Sequence, residues 1–371
     1  MKSWVRLAAF AAVLTAPAAP VPAQVAAQVP RGRPDAGTFE VHAIDVGTGL
    51  AIFVQGQDFA LLYDAGSNDD GARGDRNRVL AYLRAIRPDL RIVDHLILSH
   101  PHKDHTELLP DILDAYEVRH VWNSGAFNPI CSYRAFLTRT AAEPGVQYHD
   151  ALGGAGSYDA SFKVQTCYGE SLPAATLRVP RSAQISDRPI PLGAGAAMTI
   201  LNSDASPKIF NLGEASLVVH LRLGKRSLLL PGDAEAGKRA RPSAPPDPGS
   251  TEGKLLACCL KRLRSDILVV AHHGSKTSSR TDFLNAVRAS QYIVSSGPQA
   301  FSGVINPDID VILALEERGV VWRTDRNDFG CAANPAKTGP DNDGKPGGCD
   351  HVRIVIDAAG AIAAGYNPVV D

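Results

Sequence analysis

The segment Ser99–His105, with the sequence SHPHKDH, constrains the fold of this chain more than any other. It follows the apolar run Ile92–Leu98 and precedes a stretch with helical spacing, Thr106–Tyr116, so the pattern predicts a strand, a loop and a helix. Such loops lie at the carboxyl edge of α/β sheets, where functional sites are found. Imidazole and carboxylate groups are the ligands that zinc and similar ions prefer. We therefore expect a metal site here rather than a histidine-rich polar turn.

Two later strands end in residues of the same kinds. The run Ser227–Leu230 leads to Asp233, and Ile267–Ala271 leads to His272 and His273. Activation of water between two metal ions requires this inventory of histidines and aspartates, including one carboxylate that bridges the ions. The sequence therefore predicts a hydrolytic metal centre assembled from three strand ends.

The N-terminus has the layout of a secretory signal peptide. Lys2 and Arg6 precede the apolar run Leu7–Leu14, and small residues up to Ala23 offer a cleavage site. We expect a signal peptide over residues 1–23, a flexible segment over 24–38 and a periplasmic or secreted protein. The apolar run is too short to span a bilayer, and no later segment supplies about 18 apolar residues, so no membrane span is expected.

Charge and cysteine content refine this interpretation. The formal net charge is −1, so no global basic field gathers nucleic acid, and the basic residues between Lys238 and Arg264 are expected to be solvated surface. The six cysteines suit an exported protein. We expect local disulfides at Cys131–Cys167 and Cys331–Cys349. Cys258 and Cys259 are expected to be buried free thiols, because a bond between neighbours is strained.

Short strands with tight turns, followed by alternating strands and helices, predict a layered α/β domain over residues 39–371. A weakly periodic segment at about 125–191, rich in Gly, Ala and Ser, is interpreted as an insertion. A disulfide-containing tail is expected at about 327–371. Histidines outside the strand ends, such as His42, His95 and His220, are expected to be structural, and His120 and His149 have no evident partner.

Six motifs together resemble the metallo-β-lactamase superfamily, and specifically the hydrolase domain of ComEC-type DNA-uptake (competence) proteins. The motifs are Ile44–Gly49 (IDVGTG), Leu61–Gly66 (LLYDAG), His100–His105, Glu214–Val219 (EASLVV), Leu229–Asp233 (LLPGD) and Val270–Ser278 (VAHHGSKTS). They cover most of residues 40–325 apart from the insertion. The resemblance implies an αββα sandwich with two divalent metal ions, zinc first and manganese as the alternative, at one edge of the two sheets.

The resemblance also implies a ligand set. His100 and His102 would bind the first ion. Asp104, His105 and His273 would bind the second.

Three further residues have roles under the same resemblance. Asp233 would bridge the two ions, and Asp64 would order the histidine loop. His272 would face the substrate and stabilise charge, which makes Asp104 and His272 the predicted catalytic residues. Which of His272 and His273 is the ligand stays open, with His273 preferred.

The residues Ser275, Lys276 and Thr277 follow the last histidine motif. Two hydroxyls and a cation suit a phosphate oxygen, so they are candidates for substrate binding. A helix N-cap within Ser275–Ser278 is the equally weighted alternative.

Departures from the family pattern concern the substrate. The β-lactamases carry a further histidine ligand where Val121–Gly125 stands here, which argues against β-lactam hydrolysis and leaves a single-ion form as an alternative. Thr48 and Leu50 replace the Gln and Asp of the competence domain, and Asn306-Pro307 replaces a His-Pro. ComEC-type proteins are membrane channels, whereas DNA transport is not expected of this chain alone.

These observations predict an exported metal-dependent hydrolase, first a phosphodiesterase or nuclease. One alternative is a hydrolase of smaller esters, of phosphocholine type or lactones. The other is a metal-stabilised binding protein without turnover. The partners would be a phosphodiester or small ester, with nucleic acid as one candidate.

Overall fold

Two β-sheets lie face to face, with helices on both outer faces, in a computed structural model that describes residues 32–152, 156–206, 209–301, 303–326 and 350–366. The predicted αββα sandwich is confirmed. The predicted signal peptide and the Cys331–Cys349 pair lie outside the described residues. No helix within the described ranges is long and apolar enough to cross a membrane.

The strands of the described residues are, in chain order, β1 (Phe39–Ala43), β2 (Ile52–Gln55), β3 (Ala60–Tyr63), β4 (Ile92–Leu98), β5 (Glu117–Asn123), β6 (Gln147–Asp150), β7 (Ser157–Phe162), β8 (Gln165–Cys167), β9 (Glu170–Leu172), β10 (Ala175–Gln184), β11 (Ile190–Gly193), β12 (Ala196–Asn202), β13 (Val218–Leu223), β14 (Arg226–Leu230), β15 (Ile267–Val269), β16 (Gln291–Val294), β17 (Val320–Arg323), β18 (Val352–Ile356) and β19 (Ile362–Tyr366). The α-helices are α1 (Arg78–Ile86), α2 (Lys103–Thr106), α3 (Leu109–Ala115), α4 (Cys131–Ala142), α5 (Thr251–Cys259), α6 (Thr281–Val287) and α7 (Ile309–Glu316).

The first sheet has the order β19-β18-β1-β2-β3-β4-β5-β6-β10-β7, and the second has the order β11-β12-β13-β14-β15-β16-β17. Each sheet contains a parallel run, β3 to β6 in the first and β14 to β17 in the second. The segments that follow β4, β14 and β15 carry the predicted ligands. Because parallel strands end at one edge, the topology brings these segments to the functional edge of the sandwich.

Three apolar layers hold the sandwich together. Helices α1, α3 and α4 pack on the outer face of the first sheet, and α5, α6 and α7 pack on that of the second. Between the sheets, side chains such as Ile97, Val219 and Leu228 are fully buried. Neighbours in one strand serve different layers, as Leu61 packs between the sheets and Leu62 under the helices, which follows from the two-residue period of a strand.

Local signals explain where several helices begin and end. The Asn77 side chain caps helix α1 by accepting from the amides of Val79 and Leu80. The stretch Thr106–Tyr116, predicted to be helical, contains α3, but α3 begins only at Leu109, and the separate short helix α2 ends at Thr106. Proline in the first turn of α3 lacks an amide hydrogen and cannot continue the preceding helix.

The segment 125–191, expected as an insertion, contains α4 and strands β6 to β11. Strands β6, β10 and β7 extend the first sheet beyond β5. In β7 buried residues alternate with more exposed ones, so one face of the strand is polar. The segment therefore has a low overall hydrophobicity in the sequence.

The described residues contain two disulfides, of which one was predicted and the other was not. Cys131 and Cys167 are bonded, as predicted. Cys258 and Cys259 are also bonded, so the prediction of buried free thiols is wrong, and the Cys258 side chain is exposed. The backbone leaves helical geometry at Cys259, with φ −132°, before a short 3-10 turn, and this change of direction brings the two sulfurs together.

Candidate metal centre

The predicted ligands meet at the shared edge of the two sheets. The loop after β4 and the short helix α2 supply His100 to His105 from the first sheet. Asp233 follows β14, and the two adjacent histidines follow β15, in the second sheet. Residues as far apart in the chain as Asp104 and His273 thus face one another.

One group of four side chains gathers Asp104, His105, Asp233 and His273, with one ligand atom of each within 4.8 Å of the others. His105 Nε2 lies 3.2 Å from Asp233 Oδ1. His273 Nε2 lies 3.5 Å from Asp104 Oδ2 and 3.7 Å from Asp233 Oδ1. Three of these atoms, His105 Nε2, Asp233 Oδ1 and His273 Nε2, are buried and have no hydrogen-bond partner.

Buried polar atoms are almost always satisfied in folded proteins, so three orphaned atoms aimed at one point require an explanation. A tetrahedral zinc ion with bonds of about 2.0–2.2 Å separates its ligand atoms by about 3.4 Å. The distances in this group bracket that value. The chemistry and the spacing of the four side chains therefore fit a divalent cation.

A second group consists of His100, His102 and Asp233. His100 Nε2 lies 3.5 Å from Asp233 Oδ2 and 2.9 Å from His102 Nδ1. Asp233 therefore offers one oxygen to each group, as its predicted bridging role requires. At the position where the β-lactamases have a histidine, the Asn123 amide donates to the buried hydroxyls of Tyr133 and Tyr148, so this side chain is used in the core.

Asp64, the residue predicted to order the histidine loop, contacts two residues of that loop, Ser99 and His105. Its backbone has φ 58°, and its carboxylate accepts from the amide and hydroxyl of Ser99 at 2.7 Å each. The same carboxylate lies 2.8 Å from His105 Nδ1, so His105 presents Nε2 to the metal group. A Cβ at Gly66 would lie 2.3 Å from the His105 amide nitrogen, which explains the glycine of this motif.

The two adjacent histidines both adopt left-handed backbone conformations, with φ 51° at His272 and 55° at His273. This conformation is energetically unfavourable for residues other than glycine, and it is found most often at functional sites. His273 Nδ1 donates to the carbonyl of Ser295 at 2.8 Å, which leaves Nε2 for the metal group. His272 Nε2 lies 3.8 Å from Asp233 Oδ2, and its side chain is 23% exposed. This arrangement favours His273 as the ligand and places His272 at the open side.

The pKa shifts of the site residues also indicate a site for cations. Burial lowers the pKa of His105, but the Asp233 and Asp64 carboxylates outweigh burial and raise that pKa well above its ordinary value. Burial likewise opposes the charge of His272, yet Asp233 and Glu235 raise its pKa to about 9. Burial would raise the pKa of Asp233, whereas four surrounding imidazoles, led by His105, hold it well below its usual range. The carboxylates thus create a site for positive charge, carried by protons or by bound cations.

The three residues predicted to bind substrate each contact another side chain of the protein. The Thr277 hydroxyl lies 2.7 Å from His272 Nδ1. The Lys276 ammonium pairs with Asp310 at 2.8 Å, and the buried Ser275 hydroxyl accepts from Arg239. The N-cap alternative is wrong, because the next helix, α6, begins only at Thr281. Substrate binding by these three residues stays a prediction.

Sequence reasoning missed two residues of the site. Glu235 Oε1 lies 3.3 Å from His272 Nδ1, and the Ser295 carbonyl orients His273. Glu235 stands two residues after the predicted bridging aspartate, so its proximity in sequence was a usable signal. Ser295 follows β16 and acts through its backbone, which no side-chain pattern reveals.

Comparison with known proteins shows what this chain is similar to. Residues 44–145 match the family model of the metallo-beta-lactamase superfamily. Recombination protein 2 of Haemophilus influenzae is 27% identical over 260 residues, which are 70% of this chain and 24% of that protein. The chain thus spans about a quarter of the length of this relative.

Two solved structures that align with this chain are microbial proteins. The metallo-beta-lactamase fold protein YhfI from Bacillus subtilis aligns with a TM-score of 0.41 and 11% identity, over 77% of this chain and 97% of that one. Igni18, a metallo hydrolase from Ignicoccus hospitalis, aligns with a TM-score of 0.42 and 11% identity, over 77% and 95% of the two chains.

The family match and the curated relative confirm the resemblance to the superfamily and to its competence-related branch. The donor set at the sheet edge has the composition of a divalent-metal site, and residues 44–145 are similar to the metallo-beta-lactamase superfamily.

Proposed function

We propose that this hydrolase cleaves phosphodiesters and that nucleic acid is its substrate class. The observation that carries the proposal is the sharing of Asp233 between two groups of ligands. When bound, two neighbouring divalent ions supply a clamp for the attacking and leaving oxygens of a displacement at phosphorus. We propose zinc as the ion, with manganese as the alternative.

The residues of the chain support such a reaction in distinct ways. The carboxylates of Asp233 and Asp104 and the buried histidines would hold the ions. His272 remains partly exposed, and Thr277 and Glu235 both contact its Nδ1, so its Nε2 faces the centre. A positively charged imidazole in this position would donate to a phosphoryl oxygen and stabilise the charge that develops there. Ser275 and Lys276 stay candidates for later substrate contacts.

The name of the 27% identical relative, Recombination protein 2, supports a nucleic-acid substrate. We also propose that the protein is exported and acts in the periplasm or outside the cell. The signal-peptide pattern of residues 1–23 and the Cys131–Cys167 disulfide support export.

A smaller ester is the second candidate substrate, and the surface charges favour it. Three members of the basic segment are paired with aspartates: Arg239 with Asp308, Lys254 with Asp204, and Arg262 with Asp187. Paired cations attract a polyanion less than free ones do. A substrate such as a lactone or a phosphocholine ester does not need a basic track.

The test is hydrolysis of bis-p-nitrophenyl phosphate by the purified protein with zinc, with manganese and with chelator. We expect metal-dependent release of nitrophenol that is lost in Asp233→Ala. Asp187→Ala is the matched control, because Asp187 is 72% exposed and pairs with Arg262, which belongs to neither group of ligands.

The second arm repeats the assay with p-nitrophenyl acetate and a lactone. Cleavage of these carboxylic esters without cleavage of the phosphodiester would replace the proposed function by the second candidate. Bound metal without turnover of any substrate would instead support a binding protein.

A further inference from the structure

We propose that Tyr168 is a stacking platform for a nucleobase next to the metal centre. This inference rests on the proposed function, since it names a residue that would recognise a base flanking the scissile phosphate. Tyr168 lies at the tip of the β8–β9 hairpin, in the segment expected as an insertion.

The backbone of this hairpin disfavours a tyrosine. Strands β8 and β9 are joined by the two residues Tyr168 and Gly169, with φ 54° and 87°. Two-residue turns with positive φ at both positions favour Asn-Gly or similar pairs, and a bulky residue in this conformation is an outlier. The side chain is also 56% exposed, so burial of the ring in the core does not account for its presence. A strained, exposed aromatic residue indicates a functional role.

The ring is held in place by a cation. The Arg73 guanidinium carbon lies 4.4 Å from the centre of the Tyr168 ring. Arg73 is itself fixed, because its guanidinium donates to the Glu107 carbonyl and pairs with the Glu107 carboxylate at 2.9 Å. The ring is therefore supported by a fixed partner while more than half of the side chain remains free for contact with a ligand.

The hairpin is fastened to the metal-binding helix. The disulfide of Cys167, the neighbour of Tyr168, attaches the hairpin to Cys131, the first residue of α4. The next residue of α4, Ser132, has its hydroxyl 2.7 Å from that of Thr106 in α2. The platform and the histidine loop therefore belong to one connected unit.

The contacts of Glu107 connect the ring to the metal ligands. Glu107, which holds Arg73, stands two residues after His105, and its amide donates to the Lys103 carbonyl one helical turn earlier. The Tyr168 ring is thus linked through Arg73 and Glu107 to the segment that carries the histidine ligands. A base adjacent to a phosphate held at the metal centre would meet this ring. Stacking on aromatic rings binds bases with little dependence on sequence.

The experiment compares two oligonucleotides of equal length that carry cleavage-resistant phosphorothioate linkages, one with bases and one abasic. Binding to the zinc-loaded protein is measured by fluorescence anisotropy. Tyr168→Asn removes the ring and introduces a residue that the turn favours, so the fold is retained. We expect this variant to bind the base-containing strand about tenfold more weakly and the abasic strand as before. Tyr168→Trp should keep the affinity of the wild type.

Phe301→Ala is the matched control, because Phe301 is also an exposed aromatic residue, at 67%. Equal binding of the base-containing strand by Tyr168→Asn and the wild type would overturn the proposal. An equal loss of affinity for both strands would overturn it as well, since the effect would not depend on the base. Failure to hydrolyse phosphodiesters would count against the proposed function, whereas this binding comparison tests Tyr168 without turnover.

Discussion

Two groups of histidines lie in the same sandwich, and only one of them has the properties of a metal centre. The second group, formed by His95, His120 and His149 around Trp122, comes from neighbouring positions of β4, β5 and β6. The rings stack, with centres 4.8 Å apart for His95 and His120 and 3.9 Å apart for Trp122 and His149. Two imidazole nitrogens meet at 3.2 Å, and the Trp122 indole donates to His95.

The electrostatic surroundings of the two groups are opposite. In the metal centre the carboxylates overcome burial and raise the pKa of His105. In the stack, burial and, to a lesser extent, the neighbouring imidazoles lower the pKa of His95 to about 3 and that of His149 to about 4. The number of histidines therefore does not define a metal site. Carboxylates and buried nitrogens without partners do.

The largest effect is expected when a histidine is replaced by alanine in the metal centre, compared with the same replacement in the stack. His273 and His149 are similarly buried, with 6% and 7% exposure. His273→Ala should lose bound zinc and reduce phosphodiester hydrolysis by about 100-fold or more, since even residues that only orient ligands contribute 10- to 100-fold. His149→Ala should keep both zinc content and activity. Zinc content is measured by elemental analysis of the dialysed proteins.

The loss of zinc binding should also be visible in the thermal stability of the variants. Added zinc should raise the thermal midpoint of the wild type and of His149→Ala, because a ligand that binds only the folded state stabilises it. The midpoint of His273→Ala should respond less. Equal zinc content in both variants would remove the distinction between the two groups.

A smaller effect is expected from the carboxylate that contacts His272. Glu235→Gln keeps the size of the side chain but removes the charge beside His272 Nδ1. We expect kcat to fall about tenfold while KM and zinc content stay near those of the wild type, because Glu235 positions His272 and binds neither substrate nor ion. Glu317→Gln, at a glutamate that is 77% exposed, should change none of these. A rise in KM with unchanged kcat would assign Glu235 to substrate binding instead.

The same contrast explains how far sequence reasoning reached. The metal ligands of the first sheet lie within six consecutive residues after a strand, so pattern and chemistry pointed to them directly. Asp233 and His273 were found because they also follow apolar strands. The stack around Trp122 was not predicted, because His95, His120 and His149 come together only through the register of three strands.

The remaining errors have a similar origin. The bond between Cys258 and Cys259 depends on where one helix loses its geometry, and the split between α2 and α3 depends on Pro110. The sheet extension by β6, β10 and β7 depends on pairing between distant segments. Local sequence patterns predicted the strands and the metal ligands well. They could not predict contacts that depend on the tertiary structure.

The smallest expected effect tests the stack by pH in the presence of chelator. Because burial lowers the pKa of His149 to about 4 in the folded state, the unfolded chain takes up a proton near pH 6.5 while the folded chain does not. Stability should therefore fall as the pH decreases from 7 towards 4 and level off below the folded-state pKa. His149→Phe keeps a ring against Trp122 but cannot titrate, so its free energy of unfolding in urea should lose about 1–2 kcal/mol less than the wild type between pH 7 and pH 5. Parallel pH profiles of the two proteins would show that His149 titrates alike in both states, and the stack would then have to be open to water.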